Sequence, residues 1–120
     1  MESRLMTKAE SAKHSIVEDW GTLTPLANSE ISGSNITVAR VIIKPGKSNP
    51  RHCHDNCEEI LHLLQGRLRH SSGDETIEMV AGDTLVVPSG VMHNALNPGN
   101  TDADMIVAYP TGKRGFRKEM

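Results

Sequence analysis

From residue 36 onward the chain never sustains an apolar run beyond the length of one short strand before glycine, proline or asparagine interrupts it. That punctuation leaves no room for long amphipathic helices and constrains the fold more than any other feature. The run 36–43, Ile-Thr-Val-Ala-Arg-Val-Ile-Ile, is β-branched and lies between Ser-Gly-Ser-Asn and Lys-Pro-Gly. Similar runs follow at 59–65, 67–71, 76–80, 84–87, 92–96 and 103–109, each closed by turn residues. Short strands at this spacing predict an all-β sandwich or barrel. If 36–43 is buried on both faces, Arg40 either reaches the interior, where it would meet an anionic substrate, or turns outward as a paired surface residue.

A length of 120 residues predicts one domain. The net charge of -2, with basic residues clustered only in the tail after Gly112, argues against nucleic acid or anionic membrane as a partner. No apolar run approaches the roughly 18 residues of a membrane span, and residues 1–12 lack the apolar stretch of a secretory signal, so a cytoplasmic protein is expected. Cys53 and Cys57 are accordingly expected as reduced thiols rather than a disulfide. With one Trp, one Tyr and one Phe, the core must be filled by Val, Ile, Leu and Met. A pocket without aromatic walls would suit a small aliphatic or acidic ligand.

Turn and composition signals divide the chain into an arm at 1–33, a barrel at 34–112 and a basic tail at 113–120. The arm reads as loose chain or a short helical turn that docks on a partner subunit, with Trp20 as its anchor. Asp19-Trp20-Gly21 and Thr24-Pro25 break any helix there.

The chemistry-bearing residues gather in two segments. In extended chain, His52 and His54 project to one side while Cys53 faces away. Glu59 opens a strand on the same face as Leu61 and Leu63, which puts a carboxylate at the edge of an apolar interior. His93 follows the Pro88-Ser89-Gly90 turn and shares a face with Ala95. Three imidazoles and one carboxylate suit one divalent first-row metal per chain: Fe, Mn, Ni, Co or Zn. A rival arrangement joins Cys57 to His52 and His54 in a zinc site. Glu58 is a neighbouring carboxylate, but strand parity turns it away from Glu59's side. His14, His62 and His70 are expected at the surface or an interface, and Tyr109 receives no role.

The spacing of these segments resembles that of a known superfamily. Gly46, His52, His54, Glu59 and Gly66 stand at the fixed positions of the first cupin motif, and Gly82, Pro88, Gly90, His93 and Asn97 at those of the second. The resemblance implies a single jelly-roll β-barrel, usually dimeric, with metal held by His52, His54, Glu59 and His93. It implies a small mononuclear metal-dependent enzyme acting on a small oxygen-rich or acidic metabolite. Dioxygenase-type chemistry is placed slightly ahead of lyase, isomerase or decarboxylase chemistry. The alternative is a non-catalytic metal- or ligand-binding module. No catalytic acid or base is assigned, although Glu59 would serve as base if weakly ligated. Gly46, Gly66, Gly82 and Gly90 are expected to hold turns closed to other residues. Ile60 and Leu64, on the face opposite Glu59, need cover, and a homodimer is the expected source.

Overall fold

A computed structural model describes residues 2–120 as two antiparallel sheets with two short helical segments. The larger sheet contains β1 (Ile16–Glu18), β2 (Gly21–Ala27), β3 (Thr37–Ile43), β5 (Glu59–Gln65), β8 (Thr84–Val87) and β10 (Ala103–Tyr109), in the order β1-β2-β3-β10-β5-β8. The smaller contains β4 (His52–Cys53), β6 (Arg67–Ser72), β7 (Glu75–Val80), β9 (His93–Leu96) and β11 (Arg117–Lys118), in the order β11-β4-β9-β6-β7. Strands distant in sequence lie side by side, as in a jelly roll, and the runs foreseen from turn punctuation are all strands.

Alternation assigns the core. In β3, Ala39, Val41 and Ile43 are buried while Arg40 is exposed. The strand is therefore apolar on one face only. Arg40 pairs with Asp104 across β3 and β10, which settles its outward direction. With half of the arginine side chain in solvent, such a pair contributes under about 1 kcal/mol. Ile43, Leu63 and Leu68 are fully buried where the two sheets face each other, and each contributes roughly 1.5–3 kcal/mol by leaving water. Gly46, Gly66, Gly82 and Gly90 all have positive φ. At Gly66, with φ of 84°, a Cβ would also lie 2.6 Å from the Asp102 carbonyl oxygen, so any other residue there would force the β5–β6 turn from β10.

Two expectations about the chain ends need correction. Part of the 1–33 segment is built into the sheet, since β2 pairs with β3 from Gly21 to Ala27. Gly21 sits where a Cβ would meet the Ile42 carbonyl oxygen at 1.8 Å, so this strand lies directly on its neighbour. Pro25 is tolerated at an irregularity in that pairing. Trp20 packs against the core of its own chain. Two short helices, α1 (Lys8–Ala12) and α2 (Ser29–Ser32), begin at Thr7 and Asn28, whose side chains accept from the N–H groups of Glu10 and Ile31. At the other end, 113–120 is not a free basic tail. Its β11 pairs with β4, placing Arg117 opposite Cys53 and Lys118 opposite His52.

Candidate metal centre

The centre lies between the sheets, where β4, the start of β5 and the start of β9 meet. Pairing of β4 with β9 sets His52 opposite His93. The pleat carries Glu59 inward with Leu61 and Leu63, and it leaves Glu58 in solvent. Ligand-capable atoms of His52, His54, Glu59 and His93 all lie within 4.8 Å of one another, and all four residues are buried. Among the described residues this is the one convergence of three or more such side chains. Cys57 packs in the apolar core and stands outside the cluster, and Cys53 approaches Asp55 at 3.5 Å. Both cysteines are free thiols.

Backbone carbonyls decide which imidazole nitrogen faces the centre. Nδ1 of His52 meets the Pro50 oxygen at 2.7 Å, that of His54 the Gly115 oxygen at 2.6 Å, and that of His93 the Val91 oxygen at 2.9 Å. A carbonyl oxygen can only accept, so in each ring Nδ1 carries the proton and donates. Nε2 is left with its lone pair facing inward, the arrangement that outer partners impose on metal-bound histidines. Nε2 of His54 and of His93 is buried and makes no hydrogen bond. Each lies only 3.3 Å and 3.6 Å, respectively, from Glu59 Oε1. Buried polar atoms without partners are costly, and a cation at their common focus would satisfy them together.

Titration behaviour agrees with that geometry. Burial pushes the His52 imidazole down to about 4, so it is neutral at physiological pH. Burial alone would raise the Glu59 carboxyl, but the approach of His54 and His93 and the Tyr109 hydroxyl together hold it well below the ordinary carboxylate range. For His93 burial favours the neutral ring, yet the adjoining Glu59 carboxylate prevails and raises its value. A neutral His52 and an ionised Glu59 are the states a divalent cation needs, and the proton that Glu59 draws to His93 is the one such a cation would displace.

Several residues outside the two sequence segments complete the site. Tyr109 donates from its hydroxyl to Glu59 Oε1 at 2.5 Å, and burial together with the Glu59 charge raises its own value well above normal. Its placement was readable in principle, because β10 pairs Ala108 with Ile60 and so brings Tyr109 beside Glu59. His70 is not a surface residue. It is 1% exposed, its ring stacks on His93 at 5.6 Å, and burial lowers it to about 4. Its alternation with the buried Leu68 was the available signal. His14 is exposed, as expected, while His62 bonds Thr84 on the outer side of the larger sheet.

The centre opens into a cavity of about 80 Å³ lined by apolar β3, β5 and β10 side chains and by Trp20, Tyr109 and Phe116. The expectation of a pocket without aromatic walls therefore fails. The chain has one residue of each aromatic type, and all three line this cavity. Phe116 stacks on the His52 ring at 4.7 Å, and the Arg114 guanidinium lies 5.2 Å from the Tyr109 ring centre and 5.5 Å from that of Phe116.

Comparison with known proteins places this architecture. The family model described as "Cupin domain" matches residues 39–109, and the chain belongs to the cupin family. Oxalate oxidase 1 of Hordeum vulgare is 31% identical over 121 aligned residues, an alignment that takes in 92% of this chain and 60% of that protein. A solved structure of oxalate oxidase superposes with a TM-score of 0.74 at 26% identity, covering 83% of this chain and 55% of the other. The oxalate decarboxylase of Lactobacillus farciminis, in a formate complex, gives a TM-score of 0.81 at 21% identity over 87% of this chain and 32% of its own; that likeness is one of fold. The chain thus spans less than two thirds of the length of these relatives.

Proposed function

We propose that the chain is a mononuclear metal-dependent enzyme acting on a small carboxylic acid, with dioxygen-dependent oxidation favoured over decarboxylation, lyase or isomerase chemistry. The observation that carries this reading is the set of inward, proton-free imidazole nitrogens beside an ionised glutamate, at the end of a cavity small enough to exclude bulk water. Similarity to oxalate oxidases supplies the substrate class.

In this reading His52, His54 and His93 present Nε2, and Glu59 presents a carboxylate oxygen, to one divalent Fe, Mn, Ni, Co or Zn ion. When bound, such an ion offers a Lewis-acid point for the oxygens of an acid and, if redox-active, a partner for dioxygen. The protein does the rest through position. Tyr109 holds one Glu59 oxygen by its hydroxyl proton and so fixes the plane of the carboxylate. Leu61, Val107 and Met105 keep the surroundings dry, which strengthens each electrostatic contact inside. Ile60, Leu64 and Val86 remain exposed at 41%, 44% and 55% on the outer face of the larger sheet, which supports a homodimer formed through that face; light scattering checks it.

The deciding experiment loads the protein with each metal in turn and supplies oxalate and related two-carbon acids under air. Dioxygen uptake with hydrogen peroxide as product supports oxidation, whereas formate without net dioxygen uptake supports decarboxylation. Acid binding without turnover under any metal would replace the enzyme reading with the binding-module alternative.

A further inference from the structure

We propose that the metal cavity and the groove outside it form one continuous binding site, built for a carboxylic acid whose other end carries an aromatic or branched apolar group. The inference rests on the acid-binding reading of the same cavity. It begins with size. A space of about 80 Å³ admits on the order of five water-sized atoms, which a metal ion and the oxygens bound to it would largely fill. Anything beyond the coordinating head of a ligand must leave through the mouth.

What lies there is a second hollow of about 420 Å³ that shares Trp20, Leu23, Pro50, Arg114 and Phe116 with the inner cavity. Ligand sites for small molecules are commonly apolar and of this larger scale, with a few fixed polar groups. The aromatic rings are placed accordingly. Trp20 is half-buried, and Phe116 is 51% exposed although its ring is held in place by His52 and Arg114. A chain this poor in aromatic residues has committed its Trp and its Phe to one opening. Rings at a rim offer flat apolar contact at small entropic cost.

Charge points the same way. Arg114 lines both hollows and has no carboxylate partner among the described residues, whereas Glu18, Asp19 and Lys118 line only the outer one. A cation at the neck draws in an anionic head and, through its flat guanidinium, still accepts a ring beside it. A bare two-carbon acid would use the head site and leave the outer hollow to water.

Glyoxylate and phenylglyoxylate share one 2-oxo acid head and differ in the ring, so they test the proposal on metal-loaded protein by calorimetry. Phenylglyoxylate is expected to bind at least tenfold more tightly and to quench the emission of Trp20, the chain's one tryptophan. Phe116→Ala is expected to abolish most of that preference, read as the ratio of the two affinities, and Phe116→Tyr is expected to retain it; melting curves confirm folding of each. Equal affinities for the two acids, or equal weakening of both by Phe116→Ala, would overturn the proposal with the acid site intact. Binding of neither acid would remove both the acid reading and this one. Full phenylglyoxylate affinity in the His52→Ala, His54→Ala protein would show the groove acting independently of the centre, again against a single site.

Discussion

The floor and the rim of the cavity are built by different means. The floor needs little chain: His52 and His54 are two residues apart, one pairing of β4 with β9 brings His93 across, and two of the three rings are oriented by carbonyls two residues upstream. The rim is assembled from the ends of the chain, with Trp20 from before the family-matched region and Arg114, Gly115 and Phe116 from after it. The contrast teaches that the metal-binding geometry is compact enough to be written in two short motifs, while the rim depends on segments outside the family-matched region.

The comparison breaks most readily at the floor. His52→Ala with His54→Ala should reduce metal content from about one equivalent to near zero, read by plasma emission. The variant should also lose the roughly 2.7 kcal/mol by which a hundredfold excess of ligand over its dissociation constant stabilises a native state. Retention of metal would mean the centre is elsewhere. Next comes Asn97, fully buried, whose Nδ2 donates to the Ile43 and Thr101 carbonyls while Oδ1 accepts from Gly99 N–H. Asn97→Ala removes all three bonds and strands the buried Ile43 carbonyl, and should cost about 2–3 kcal/mol in urea unfolding. A loss below half of that would make this motif residue less structural than its bonds indicate.

Tyr109→Phe sharpens the boundary between floor and rim. It removes the hydroxyl that orients Glu59 and should weaken metal binding about tenfold with little change in melting temperature. Unchanged affinity would assign Tyr109 to the wall alone. Phe116→Ala, at the rim, should leave metal content near one equivalent and change stability by about 0.5 kcal/mol or less. Arg40→Ala serves as the control on the outer sheet face and should cost under about 1 kcal/mol, the usual yield of an exposed ion pair.

The floor was legible in the sequence because its four ligands fall in two short segments. Parity puts His52 with His54 and Glu59 with Leu61, and turn residues mark where each strand begins. Parity also contained His70 and Tyr109, but using it required knowing that β6 and β10 line the interior at those positions, which is a fact of pairing between strands distant in sequence. The rim was beyond local reading. Phe116 and Arg114 follow a Gly-rich stretch with no period, and their seat is fixed by β11 joining β4 across more than half the chain. The fate of Trp20 likewise depends on β2 lying against β3 through Gly21, a close approach that no hydrophobic pattern records.

Gly115 joins these two constructions. Its N–H donates to Asn56 Oδ1 and its carbonyl receives the His54 Nδ1 proton, while its neighbours on either side are the two rim residues. The Gly115–Phe116 peptide thus carries on one side the carbonyl that steadies the His54 imidazole and on the other the ring that walls the mouth. One peptide plane is therefore common to the wall and to the centre, so the two cannot be redesigned independently at this position.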